Sequence, residues 1–206
     1  TPSGTQRWCA VSSEASEKGV SPGPEADRAA TAGDHGIGPS YRILESLRSR
    51  AEYDLDVLRD QLKLACDHYP QLGGRTVTVG CRQSPGSDHS LFTPYASAEP
   101  VNYYIRLPVE TQPSHQVVFH ELAHLEIYER ERFGAALPES SEEFCSIYTV
   151  ARMPSDILFR DDIAYLGEPS VPKDEWPAIC RQALEYRDRN GANSHYIKKC
   201  REWLQI

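Results

Sequence analysis

No apolar run in these 206 residues approaches the roughly 18–20 residues that a helix needs to cross a bilayer, so a membrane span is not expected. Positive charge is also short: 22 lysines and arginines against 30 aspartates and glutamates leave a formal charge of −8. A general grip on nucleic-acid phosphates needs clustered cations, so direct nucleic-acid binding is not expected either. No CxxC pair occurs among Cys9, Cys66, Cys81, Cys145, Cys180 and Cys200, which argues against a thiolate zinc knuckle. A chain of this length does not need disulfides for stability, and no signal peptide is visible after Thr1. Reduced cysteines in a cytoplasmic protein are therefore expected ahead of a secreted, bridged form. Internal repeats are absent as well.

Large apolar residues are nearly missing from residues 1–39, where Trp8, Val11, Val20 and Ile37 stand among six glycines and four prolines. Such a stretch cannot bury enough surface to offset its ordering entropy, and it reads as a disordered leader. Residues 40–206 then form the folded domain, with a core over 40–160 and a helical C-terminal part over 161–206.

What is present begins with periodicity. Leu44, Leu47, Ala51, Leu55, Leu58, Leu62 and Ala65 recur at steps of three and four, which predicts one apolar helical stripe with Ser40 as its N-cap and Pro70 beyond its end. Arg75 to Val79 alternates polar and β-branched residues and predicts a strand. The Ser-, Pro- and Gly-rich stretch from Arg82 to Pro100 reads as a loop, and Asn102 to Leu107 as a second strand closed by Pro108. Ser114 can cap a helix running to about Arg132, and a further helix lies between Ser140 or Ser141 and Arg152-Met153-Pro154.

The chemistry sits in the helix after Ser114. His120-Glu121-Leu122-Ala123-His124 is an HExxH segment, and histidines four apart lie about 40° apart round a helix, so both imidazoles can reach one metal ion. Glu121 stands beside them, placed to take a proton from a water activated there rather than to bind the metal. His115 falls about 140° round the helix from His120 and should not join. A catalytic zinc needs a third protein ligand and an open position. Metzincins would place Gly and His where Ile127 and Arg130 stand, so that class is excluded. The next helix offers two glutamates. Glu143 shares a stripe with Ile147 and Val150 and is expected to point inward as the third ligand. Glu142, on the stripe of Ser146 and Thr149, is the alternative. A capping box between Ser140 and Glu143 is a competing explanation of Glu143.

The strand Asn102–Leu107, the His-Glu-Leu-Ala-His helix, and Glu143 ten residues before Met153-Pro154 together resemble the ImmA/IrrE-type zinc metallopeptidases. That family carries HELGH-like segments followed by a helix of the form E-A-x-x-F-A-x-x-L-L-M-P. Here Ala123 replaces the usual Gly before the second histidine, and Phe144 replaces the small Ala after the glutamate. The resemblance covers about residues 40–160 and is specific over 102–154. It implies an α+β fold: a compact, zincin-like metallopeptidase domain of the gluzincin kind, with helices packed on a small, mostly antiparallel sheet. It also implies Zn2+ as cofactor and a protein or peptide substrate, such as a helix-turn-helix repressor.

The expected activity is hydrolysis of a peptide bond by a zinc endopeptidase, with His120, His124 and Glu143 on the metal and Glu121 as general base. Asn102–Leu107 is a candidate edge for an extended peptide. His195 and Tyr148 are candidates for stabilising an oxyanion. Asp161-Asp162 reads as a solvated turn, and helices are expected from Asp174 to about Tyr186 and from Asn193 or Ser194 to near Leu204. The rival readings are a secreted minimal gluzincin, and a toxin or regulatory binding module that keeps a structural zinc site.

Overall fold

A computed structural model describes residues 38–51, 53–81, 91–95, 102–107, 111–132 and 141–206. The leader expected over 1–39 thus lies outside the described residues except for its last two positions. Four strands form one sheet: β1 (Ser40–Ile43), β2 (Thr76–Cys81), β3 (Leu91–Tyr95) and β4 (Asn102–Leu107), in the order β1-β2-β4-β3. β1, β2 and β4 run parallel, with Val77 opposite both Tyr41 and Tyr103, and β3 pairs antiparallel to β4. The expectation of a mostly antiparallel sheet is therefore corrected. Parallel neighbours need crossover connections, and the helix between β1 and β2 supplies one of them.

Three local expectations fail for identifiable reasons. The single helix expected from Ser40 is divided into β1, a one-turn α1 (Glu45–Arg48) and α2 (Leu55–Asp67). Ser40 lies in a strand, while Asp54 caps α2 by accepting from the backbone N–H groups of Asp56 and Val57 at 3.0 and 3.1 Å. The expected loop 82–100 contains β3, in which Pro94 would argue against a strand. Proline is tolerated there because β3 is an edge strand. For the same reason β4 cannot be the peptide-binding edge: both of its sides are paired, to β2 and β3.

The core forms where these elements meet. Val77, Val79, Tyr103, Ile105 and Leu107 of the sheet are fully buried, as are Leu58, Leu62 and Ala65 of α2. Across them runs α3 (His115–Arg132), whose buried residues Val118, Phe119, Leu122, Ala123, Leu125 and Ile127 lie on all sides of the helix. A helix buried on all sides must be covered on all sides. Accordingly α3 touches the sheet and α2 as well as α4 (Glu142–Val150). Tyr69 ties the first layer down by donating from its hydroxyl to the Phe119 carbonyl at 2.7 Å. On the other side of α3, Glu126 is completely buried and is met by the Tyr148 hydroxyl and by Arg152 at 3.4 Å. The Arg152 guanidinium lies 3.5 Å over the Tyr148 ring, and Arg130 donates to the Tyr148 hydroxyl at 3.1 Å. α4 then packs on a hairpin of α5 (Trp176–Asn190) and α6 (Tyr196–Leu204), in which Cys180, Ala183, Cys200 and Leu204 are fully buried.

Cys66, Cys145, Cys180 and Cys200 are free buried thiols, and Cys81 is buried as well. No described helix is long and apolar enough to cross a membrane. In urea unfolding, Leu122→Ala should cost about 2–5 kcal/mol as a large-to-small change at a fully buried site. Asp54→Ala, which removes one cap, should cost about 1 kcal/mol. Equal losses for the two variants would contradict the central place given to α3.

Candidate metal centre

The site begins with the four-residue spacing of the histidines on α3. Their Nε2 atoms converge to 3.1 Å, with the rings edge to face at 4.7 Å between centroids. α4 crosses this turn and brings a carboxylate to it, but not the expected one. The Glu142 Oε2 atom lies 3.0 Å from His120 Nε2 and 3.3 Å from His124 Nε2. Glu143, one residue on, turns away from the histidines, with its carboxylate 3.9 Å from Arg201 on α6. The structure thus brings Glu142, and not the expected Glu143, to the two histidines. Nor does Glu143 close a capping box, because Ser141 is the N-cap and accepts from Phe144 N–H at 3.1 Å.

The three donor atoms form a nearly equilateral triangle with sides of 3.0, 3.1 and 3.3 Å. A tetrahedral ion with bonds of about 2.0–2.1 Å holds its ligand atoms about 3.3–3.4 Å apart, close to this spacing. Protons alone satisfy such a triangle poorly. If each Nε2 carries a hydrogen, the contact between the two nitrogens has no acceptor. A cation at the centre would use one lone pair from each corner.

Beneath the triangle lies Cys145, one turn along α4 from Glu142 and fully buried. The ligating atoms of His120, His124 and Cys145 all lie within 4.8 Å of one another, so this group could hold a metal ion. The thiol donates to the His120 carbonyl at 3.6 Å. Burial first, then the negative charges of Glu142 and Glu121, push its pKa well above the ordinary thiol value. Hydrogen bonds from His120 and His124 hold the Glu142 carboxyl well below the usual carboxylate range. Burial lowers the His120 pKa, against the raising effect of its bond to Glu142. Burial of His120 thus disfavours its charged form and the bonds to Glu142 favour the ionised carboxylate, the forms that bind a cation.

Glu121 is buried on the same turn of α3. Of the two candidates for the oxyanion role, Tyr148 is turned to other partners, its hydroxyl engaged by Glu126 and Arg130. His195 stands before α6 and lines a hollow of about 490 Å³ with Glu143, Tyr196 and Arg201. The residue that sequence reasoning missed is Tyr165, whose ring stacks on His120 with centroids 5.8 Å apart and planes 21° apart. No periodicity or motif marks it. Its neighbours Asp161 and Asp162 are surface residues paired to Lys173 and Arg160, each at 2.8 Å.

Comparison with known proteins gives no match: no family model fits the chain, and no curated protein or solved structure matches it.

Metal titration of single variants separates the possible ligands. Glu142→Ala should weaken metal binding by more than the roughly 10–100-fold that loss of an outer-sphere partner costs, while Glu143→Ala should leave it nearly unchanged. In the cobalt-loaded protein a near-ultraviolet sulfur-to-metal band that disappears in Cys145→Ala would show the thiolate to be a ligand. Its absence would leave Glu142 as the third donor.

Proposed function

We propose that the chain is a zinc-dependent peptidase built on a zincin-like domain. The reading is carried by the triangle of His120, His124 and Glu142 donor atoms, with Glu121 on the same helical turn. Two imidazoles and a carboxylate at tetrahedral spacing suit Zn2+ better than the hard, oxygen-loving cations. A bound zinc supplies a Lewis acid that polarises a carbonyl and brings the pKa of water to about 7. His120 and His124 give their Nε2 lone pairs, and Glu142 gives one carboxylate oxygen. Glu121 accepts the proton of the attacking water and passes it to the amine nitrogen as the peptide bond breaks.

Support of a second kind is the likeness to ImmA/IrrE-type enzymes over 102–154, with one departure. The family spacing to Met153-Pro154 selects Glu143, whereas the geometry favours Glu142. By that likeness the substrate is a protein, such as a helix-turn-helix repressor, and the setting is cytoplasmic. The free thiols of Cys66, Cys145, Cys180 and Cys200 among the described residues support that setting over a bridged, secreted gluzincin. With β4 paired on both sides, an extended substrate would add to the terminal strand β3.

A second reading is favoured by Cys145. If its thiolate joined His120, His124 and Glu142, four protein ligands would close the site and leave a structural zinc in a binding module.

Glu121→Gln decides between them. Zinc-loaded wild type, incubated with a helix-turn-helix repressor and separately with casein, should release defined fragments by mass spectrometry. The variant should keep one zinc per chain and an unchanged unfolding midpoint, and lose at least about 1,000-fold of the cleavage rate, at the upper part of the range for a general base. Unchanged cleavage by Glu121→Gln would remove the assigned role. Zinc binding without cleavage of either protein by wild type would favour the binding module.

A further inference from the structure

Tyr165 occupies the tip of a tight turn whose ends are locked together. Ile163 and Gly167 exchange backbone hydrogen bonds of 2.8 and 3.0 Å, and Leu166 N–H donates to the Ile163 carbonyl at 3.0 Å. Ile163 and Leu166 are buried, which sinks both flanks of the turn into the core. Tyr165 itself is 48% exposed and adopts φ 63°, a left-handed conformation that is unfavourable for a non-glycine residue. Gly167 at φ 126° makes the turn possible, since that backbone region suits glycine alone. A tyrosine is thus held in an unfavourable conformation at a place where its ring adds little to the core. Such outliers persist only where the surroundings fix them, and they concentrate at functional sites.

The surroundings that fix this one include Arg201. Its Nη2 donates to the Tyr165 carbonyl at 2.9 Å, and its Nε donates to the Leu166 carbonyl at 3.3 Å. The same Nη2 lies 3.9 Å from Glu143, next in sequence to Glu142. One guanidinium therefore joins α6, the first turn of α4 and the Ile163–Gly167 turn. The outcome is a phenol ring stacked over the His120 imidazole and half open to solvent.

The geometry points to Tyr165 as a substrate-contacting residue of the metal site, its phenol donating a hydrogen bond to the carbonyl oxygen of the bond under attack, with Arg201 as the residue that positions it. This inference rests on the metallopeptidase reading. A donor fixed before the substrate arrives needs no reorganisation as charge grows on that oxygen, which is where such donors are most effective.

The test uses the full chain loaded with Co2+ and acetohydroxamate as probe, a small anionic carbonyl ligand whose binding is followed in the visible cobalt spectrum. Tyr165→Phe keeps the stacked ring and removes the hydroxyl alone. It should retain one cobalt per chain and the wild-type unfolding midpoint, and bind the anionic probe about ten- to 100-fold more weakly, the range of one lost hydrogen bond to a charged group. Arg201→Met should show the same weakening through a loosened turn, and Arg201→Lys should recover part of it. Equal probe affinity in wild type and Tyr165→Phe, to within about twofold, overturns the role of Tyr165, as does a cobalt-loaded wild type that binds no probe. A wild type that takes up no cobalt overturns the metallopeptidase reading itself, and this inference with it.

Discussion

A carboxylate removed completely from water must be met by donors and positive charge, and Glu126 imposes that requirement on the middle of α3. It is answered by Tyr148 and Arg152 from α4 and its end, with Arg130 reaching back to the Tyr148 hydroxyl. This cluster fixes the two helices against each other at one end of their crossing. At the other end α4 begins at Ser141, and its first residue meets the histidines. The meeting of Glu142 with His120 and His124 depends on both ends. If α4 slid or turned on α3, the Glu142 oxygen would leave the 3.0–3.3 Å contacts that complete the triangle.

Much of this arrangement can be read from residue patterns. The helix bearing His120 and His124, expected over 114–132, spans His115–Arg132, and the strand over 102–107 is present with those bounds. The C-terminal helices also occur near the expected positions, although Glu175 and His195 precede them without a side-chain cap and α5 runs to Asn190, somewhat beyond Tyr186. These segments share strong local signals: a motif on a helix, alternation, or a proline near a helix start. β1 and β3 lack them. The spacing of Leu44 and Leu47 continues that of α2 without belonging to it, and Pro94 masks an edge strand.

The exchange of Glu143 for Glu142 has a deeper cause. Choosing the ligand by its apolar stripe assumes that α4 has one buried face. In the fold every residue from Phe144 to Val150 is buried, so α4 has no solvent side beyond its first turn. The stripe of Glu142, Cys145, Ser146 and Thr149 looks like a surface by composition, yet Cys145, Ser146 and Thr149 are core. A metal centre is a polar place inside a protein, and the helix face that serves it resembles a solvated face in sequence. Tyr165 was illegible for another reason: its position depends on a distant arginine and a left-handed backbone, neither of which leaves a local pattern.

Glu142 and Glu143 are adjacent, chemically identical, and committed to different neighbours, one to α3 and the other to α6. Together they work as a phase marker for α4. Changing the length of the connection between α3 and α4 by one residue could exchange their places while leaving composition, charge and HExxH motif untouched. Chimeras and alignments built across this connection should therefore be judged by helix phase rather than by the number of matching glutamates. Two chains that differ only in that count could share every recognisable motif and still assemble their sites from different carboxylates.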